Sequence, residues 1–177
     1  MKDFLNNRNK AKVITGIVIT LFLIILDQVT KSLAVIYLKD GPAFELIPDV
    51  FELYYLENRG AAFSILWGQK TFFVILTVIL FIIMFYLYLR MPENKRYLWA
   101  KIVFILLMAG AVGNLIDRCT RNYVVDFFYF KLINFAVFNV ADIYITVGAF
   151  LFVITFCFYY KEEEMEEILP FLKKKEK

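Results

Sequence analysis

The sequence predicts a helical integral membrane protein: a four-transmembrane-helix bundle with a small extracytoplasmic β-sheet and a short interfacial helix on one side. Three observations predict it. First, 61% of the 177 residues are hydrophobic, with 20 Phe and 11 Tyr, more apolar side chain than a soluble domain of this size needs. Second, four stretches are long and apolar enough to cross about 30 Å of hydrocarbon, which takes about 20 helical residues. Third, Lys and Arg concentrate in alternate connections between those stretches. The length suits one integral membrane domain, residues 1–177.

The expected spans are about residues 13–38, 71–89, 98–117 and 137–160. The first follows a basic segment, as a secretory signal would. Its apolar run is too long and lacks a small-residue cleavage site, so it reads as a retained membrane helix. Lys2, Arg8, Lys10 and Lys12 precede it; Arg90, Lys95 and Arg96 lie between the second and third spans; Lys161, Lys173, Lys174, Lys175 and Lys177 lie in the tail. The other two connections are longer and carry fewer basic residues for their length. Both termini are therefore expected in the cytoplasm, with outer loops at about residues 39–70 and 118–136.

In the first outer loop, Phe44-Glu45-Leu46-Ile47-Pro48 and Phe51-Glu52-Leu53-Tyr54-Tyr55-Leu56 read as aromatic-rich strands between turn signals. They predict a small sheet on the outer membrane surface. Ala61 to Trp67 reads as a short interfacial helix, with Trp67 at headgroup level. The tail from Lys161 to Lys177, a Glu cluster followed by a Lys cluster, reads as a solvated extension of the last helix and a cytoplasmic segment.

Polar residues collect at the outer ends of the spans. Gly110, Gly113, Asn114 and Asp117 share one face of helix three by their i, i+3, i+4, i+7 spacing. The glycines permit close helix approach, so Asn114 and Asp117 turn inward. Asn139, Asp142 and Thr146 share a face of helix four. Asp142 is expected roughly 8 Å below the outer end if the helix starts at Val137. Asp27 and Lys31 form an i, i+4 pair in the outer part of helix one, and Asp126 lies in the second outer loop near Arg118 and Arg121. The inner half of every span is almost wholly apolar. A channel or proton pump carries polar groups through its full depth, so this pattern argues for a one-sided site.

Asp126 and Asp142 stand out because their neighbours belong in a membrane, where a carboxylate is costly and marks function by default. Two at one depth suggest proton chemistry. Bland readings stand beside this: Asp27–Lys31 as a structural ion pair or snorkelling group, Asn114 and Asn139 as helix ties, Asp117–Arg118 as an interfacial pair. The chain has no His, which removes His-based triads and most zinc sites. Cys119 has no His to activate it, and Cys157 sits in an apolar run. A membrane cation or proton binder remains a rival. Lipid phosphate hydrolysis is a weaker one, since it calls for His, Cys or a metal cluster.

The motifs together resemble the lipoprotein signal peptidase (signal peptidase II) family over nearly the whole chain. They are Asp27-Gln28-Val29-Thr30-Lys31, Asn58-Arg59-Gly60-Ala61-Ala62-Phe63, Gly110-Ala111-Val112-Gly113-Asn114-Leu115-Ile116-Asp117-Arg118, Val124-Val125-Asp126-Phe127-Phe128 and Phe138-Asn139-Val140-Ala141-Asp142. The resemblance implies an intramembrane aspartyl endopeptidase of the bacterial plasma membrane. It would cut diacylglyceryl-modified prolipoproteins just before the lipidated cysteine and be inhibited by the cyclic peptide globomycin. It implies a catalytic pair at Asp126 and Asp142, with supporting or substrate-binding roles at Asp27, Lys31, Asn58, Gly60, Asn114, Asp117, Arg118 and Asn139. No metal, no cofactor and no nucleic-acid partner is implied; the partners are the prolipoprotein and membrane lipid, and a monomer suffices. Ile143 and Tyr144 depart from the small residues common after the last aspartate, which would narrow the wall beside the site.

Overall fold

A computed structural model describes residues 7–60 and 70–172. The expected interfacial helix at 61–67 lies outside the described residues. The elements are α1 (Asn7–Leu38), β1 (Phe44–Ile47), β2 (Phe51–Asn58), α2 (Lys70–Arg90), α3 (Leu98–Thr120), β3 (Val124–Tyr129), α4 (Val140–Ile154) and α5 (Glu162–Ile168). Among the described residues, four helical segments are long and apolar enough to cross a membrane: Val13–Leu38, Lys70–Arg90, Lys95–Thr120 and Val140–Tyr159.

The hub is α3, which packs against α1, α2 and α4. Its small residues explain why. A Cβ on Gly110 would lie 2.5 Å from the Ala141 carbonyl oxygen, and one on Gly113 would lie 2.6 Å from Asp27 Oδ2. Only glycine lets α4 and the Asp27 carboxylate come this close. Large apolar residues on the far sides of α1 and α2, such as Phe22, Ile25, Ile79 and Ile82, are exposed. These are the surfaces a bilayer would cover.

The sheet has three antiparallel strands in the order β1-β2-β3. The β1–β2 hairpin turns at Asp49, whose φ of 57° is a conformation that Asp tolerates better than most residues. Strand β2 continues past the expected Leu56 to Asn58, which pairs with Val124. The third strand was not expected within the loop at 118–136. Val124, Val125, Asp126 and Phe127 are all buried, so this strand has no alternating polar face to announce it. Its apolar side rests on Ala34 of α1, with Leu53 and Val140 packed alongside.

Two further expectations are corrected. Helix α4 begins at Val140, not Val137, because Phe138 is held as an isolated strand partner of Phe128. The Phe138 nitrogen donates to the Phe128 oxygen at 3.0 Å, and the Phe128 nitrogen returns the bond at 2.8 Å. Asp142 is therefore in the first turn of α4 rather than well below its end. Through Leu172 the tail is not a solvated extension of the last helix, and residues 173–177 lie outside the described residues. A π-turn at Thr155–Tyr159 ends the span, and α5 folds back. Ile168 and Leu169 join the buried cluster of Leu87, Met91, Tyr97 and Phe104. Arg96 pairs with Glu164 at 2.8 Å, which pins the turn.

Candidate active site

At the sheet end of the bundle the polar residues of five elements, α1, β2, α3, β3 and α4, converge. The α4 N-terminus sets the frame. Asn139 is its N-cap, accepting at Oδ1 from the Asp142 backbone N–H at 3.0 Å, while Asp142 Oδ2 accepts from the Asn139 N–H at 3.1 Å. This reciprocal capping box satisfies two N–H groups that a helix start leaves unpaired. A third, from Ala141, donates to Asp27 Oδ1 on α1 at 2.9 Å. Both carboxylates also sit where the helix dipole is positive.

Asp126 faces this helix start from β3. Its Oδ1 accepts from Asn139 Nδ2 at 2.6 Å and its Oδ2 from Asn58 Nδ2 at 2.9 Å. Asn139 thus touches both aspartates, Asp126 through its amide and Asp142 through its backbone N–H. The second oxygen of Asp142, Oδ1, accepts from Asn114 Nδ2 at 2.8 Å. Each carboxylate oxygen takes one bond and retains acceptor capacity for a proton or a water. Asp126 is buried and Asp142 half-buried. Burial, and next the charge of Asp142, push the Asp126 carboxyl up to about 7, against hydrogen bonds from Asn58 and Asn139 that favour its ionised form.

Beneath the pair lies a fully buried ion cluster. Lys31 Nζ contacts Asp27 Oδ2 at 3.0 Å, Asp117 Oδ2 at 3.1 Å and Asn114 Oδ1 at 2.9 Å. An ammonium has three N–H donors, and all three are used. The sequence left Asp27–Lys31 open between an ion pair and a snorkelling group; with both side chains fully buried, it is an ion pair. Through this cluster α1 holds Asn114, and Asn114 holds Asp142. Asp117 also accepts from the Val125 N–H at 3.1 Å, which ties α3 to the strand carrying Asp126. Arg121 approaches the other Asp117 oxygen at 3.6 Å.

Arg118 is half-buried and donates to the Gly60 carbonyl at 3.1 Å; the Gly60 N–H donates to Asn58 Oδ1 at 3.0 Å. The Asn58–Gly60 turn therefore links Arg118 to a ligand of Asp126. Thr146, expected on the Asp142 face of the helix, and the neighbours Ile143 and Tyr144 stand apart. Thr146 is exposed, and neither Ile143, also exposed, nor half-buried Tyr144 makes a hydrogen bond within the cluster. Sequence reasoning gave no role to Gln28, whose Nε2 joins Asp27 Oδ2 at 3.0 Å to the Gly113 carbonyl at 3.1 Å. Its only signal was an amide beside Asp27 in an apolar helix. No group of three or more His, Cys, Asp or Glu side chains among the described residues is placed to hold a metal.

A family model described as Signal peptidase (SPase) II matches residues 19–158, a range that includes every residue of this cluster. The chain is 45% identical over 136 residues to a lipoprotein signal peptidase of Caldanaerobacter subterraneus subsp. tengcongensis, covering 77% of this chain and 91% of that protein. It is 47% identical over 135 residues to one of Streptococcus thermophilus, covering 76% and 86%. A solved bacterial membrane enzyme, determined by the in meso method at 2.3 Å resolution, matches with a TM-score of 0.74 and 38% identity, over 81% of this chain and 87% of that one. Family model, sequence relatives and fold agree: the chain belongs to the signal peptidase II family, the lipoprotein signal peptidases.

Proposed function

We propose that this membrane protease is an aspartyl endopeptidase that removes signal peptides from diacylglyceryl-modified prolipoproteins, with Asp126 and Asp142 as its catalytic pair. The observation that carries the reading is the bridging of the two carboxylates by Asn139, at the boundary of the spans. Peptide hydrolysis needs a nucleophilic water. Two carboxylates in one buried setting do not both ionise readily, so they hold one proton between them. That proton belongs to the pair. The ionised member removes a proton from water as the oxygen attacks the scissile carbonyl. The protonated member donates to the carbonyl oxygen, and a proton then passes to the leaving amine. No covalent intermediate forms.

The remaining residues serve placement. Asn58, Asn114 and Asn139 orient the carboxylates. Asp27, Lys31 and Asp117 hold the three helices and β3 in register. Arg118 and Gly60 offer polar groups to an extended substrate backbone. The basic end of the bundle faces the cytoplasm with both termini, which puts the sheet and the site at the outer face of the plasma membrane. Apolar walls there accept the signal helix and acyl chains, and one chain carries a complete site, so a monomer suffices.

The test is a gel-shift assay with purified protein, using one prolipoprotein with and without its diacylglyceryl group, with and without a chelator. The expected result is cleavage of the lipidated precursor alone, unchanged by the chelator. Equal cleavage of both precursors would overturn the substrate assignment, and loss of activity with chelator would overturn the metal-free mechanism.

A further inference from the structure

A groove runs along the opposite, basic half of the bundle, between α1 and α2 with α3 as its floor. It holds two cavities of about 280 Å³ each, and Gly16 and Tyr88 line both. A Cβ on Gly16 would lie 1.8 Å from Tyr88 Oη, so glycine is what admits the phenol that divides the groove. The cavity nearer the sheet is almost wholly apolar, with Ile24, Phe81 and Met108 in its wall. The other opens at the α2–α3 connection, where Asn94, Lys95 and Lys101 stand at the end of an apolar trough that includes Ile19 and Ile102. Gly16 is eleven residues from Asp27, about 16 Å along α1. The groove is thus separate from the polar cluster.

We propose that this groove binds one anionic phospholipid, its headgroup against Lys95 and Lys101 and an acyl chain laid past Tyr88. The charge pattern selects that occupant. Lys101 shares Glu93 at 3.3 Å, whereas Lys95 has no ion-pair partner among the described residues, so the mouth is net positive. Basic pockets between membrane helices on the cytoplasmic side hold anionic headgroups in this way. A signal peptide brings a basic n-region, which the same lysines repel. A lipid without net charge gains nothing from Lys95. The assignment of leaflet rests on the orientation proposed above; the binding itself does not.

The test is native mass spectrometry of the full chain in nonionic detergent, titrated with phosphatidylglycerol or phosphatidylcholine of identical acyl chains. The wild type is expected to retain one phosphatidylglycerol in preference to phosphatidylcholine. Lys95→Gln should weaken phosphatidylglycerol binding about fivefold and leave phosphatidylcholine unchanged. Thr15→Trp, which fills the mouth without changing charge, should weaken both. Soluble glycerophosphate should not compete. Equal retention of the two lipids by wild type, unchanged binding in Lys95→Gln, or competition by glycerophosphate would each overturn the proposal.

Discussion

Lys31 shows how a single residue organises the site. Its ammonium is buried between Asp27 and Asp117 and donates to Asn114, which in turn holds Asp142. Removing one member of a buried ion group strands the others, at a cost of about 3–5 kcal/mol. Lys31→Met should therefore lower the melting temperature in detergent and reduce cleavage together; an unchanged melting temperature would contradict the buried cluster. Asp126 makes a second prediction. In the fold its carboxyl titrates near 7, whereas an unfolded Asp titrates near 3.9. Folding thus favours the protonated form, and stability contributed by this group is lost as pH rises through about 7. Activity should fall in the same window, because a doubly ionised pair has no acid. A pH–rate profile flat through the alkaline range would contradict a shared proton. These residues were legible in sequence because carboxylates, amides and a lysine stand out against apolar neighbours. Gln28 was not, since an amide next to Asp27 carries no sign of reaching across to α3.

At the scale of elements, the four spans follow from length and apolarity, and α3 from its glycines. What escaped the sequence was set by distant partners. Strand β3 pairs with β2 across the chain, Leu56 opposite Asp126, and buries both faces, so its run of Val and Phe gave no period-two signal. The start of α4 depends on Phe138 pairing with Phe128, which no local rule reveals. The tail was misread because its Glu and Lys content suggests solvent, while Ile168 and Leu169 decide where it sits. Docking of α5 makes its own prediction. Ile168→Ala should cost about 2–4 kcal/mol, in the range of buried large-to-small changes. The loss would appear as a lower melting temperature with the cleavage rate per folded molecule unchanged. A stability equal to wild type would contradict the docked tail.

At the scale of the whole molecule, the two ends of the bundle do different work. The basic end is held together by aromatic packing and by the Arg96–Glu164 pair. The sheet end gathers every buried carboxylate of the spans and presents Asp126 from a strand and Asp142 from a helix start. Five elements, α1, β2, α3, β3 and α4, meet at this end, tied by Asn58, Asn139 and the ion cluster. The most direct test of the account is single-turnover cleavage of a diacylglyceryl prolipoprotein by Asp126→Asn and Asp142→Asn, each with its melting temperature measured beside wild type. The account predicts that both variants fold and that neither cleaves. Cleavage at the wild-type rate by either folded variant would contradict it.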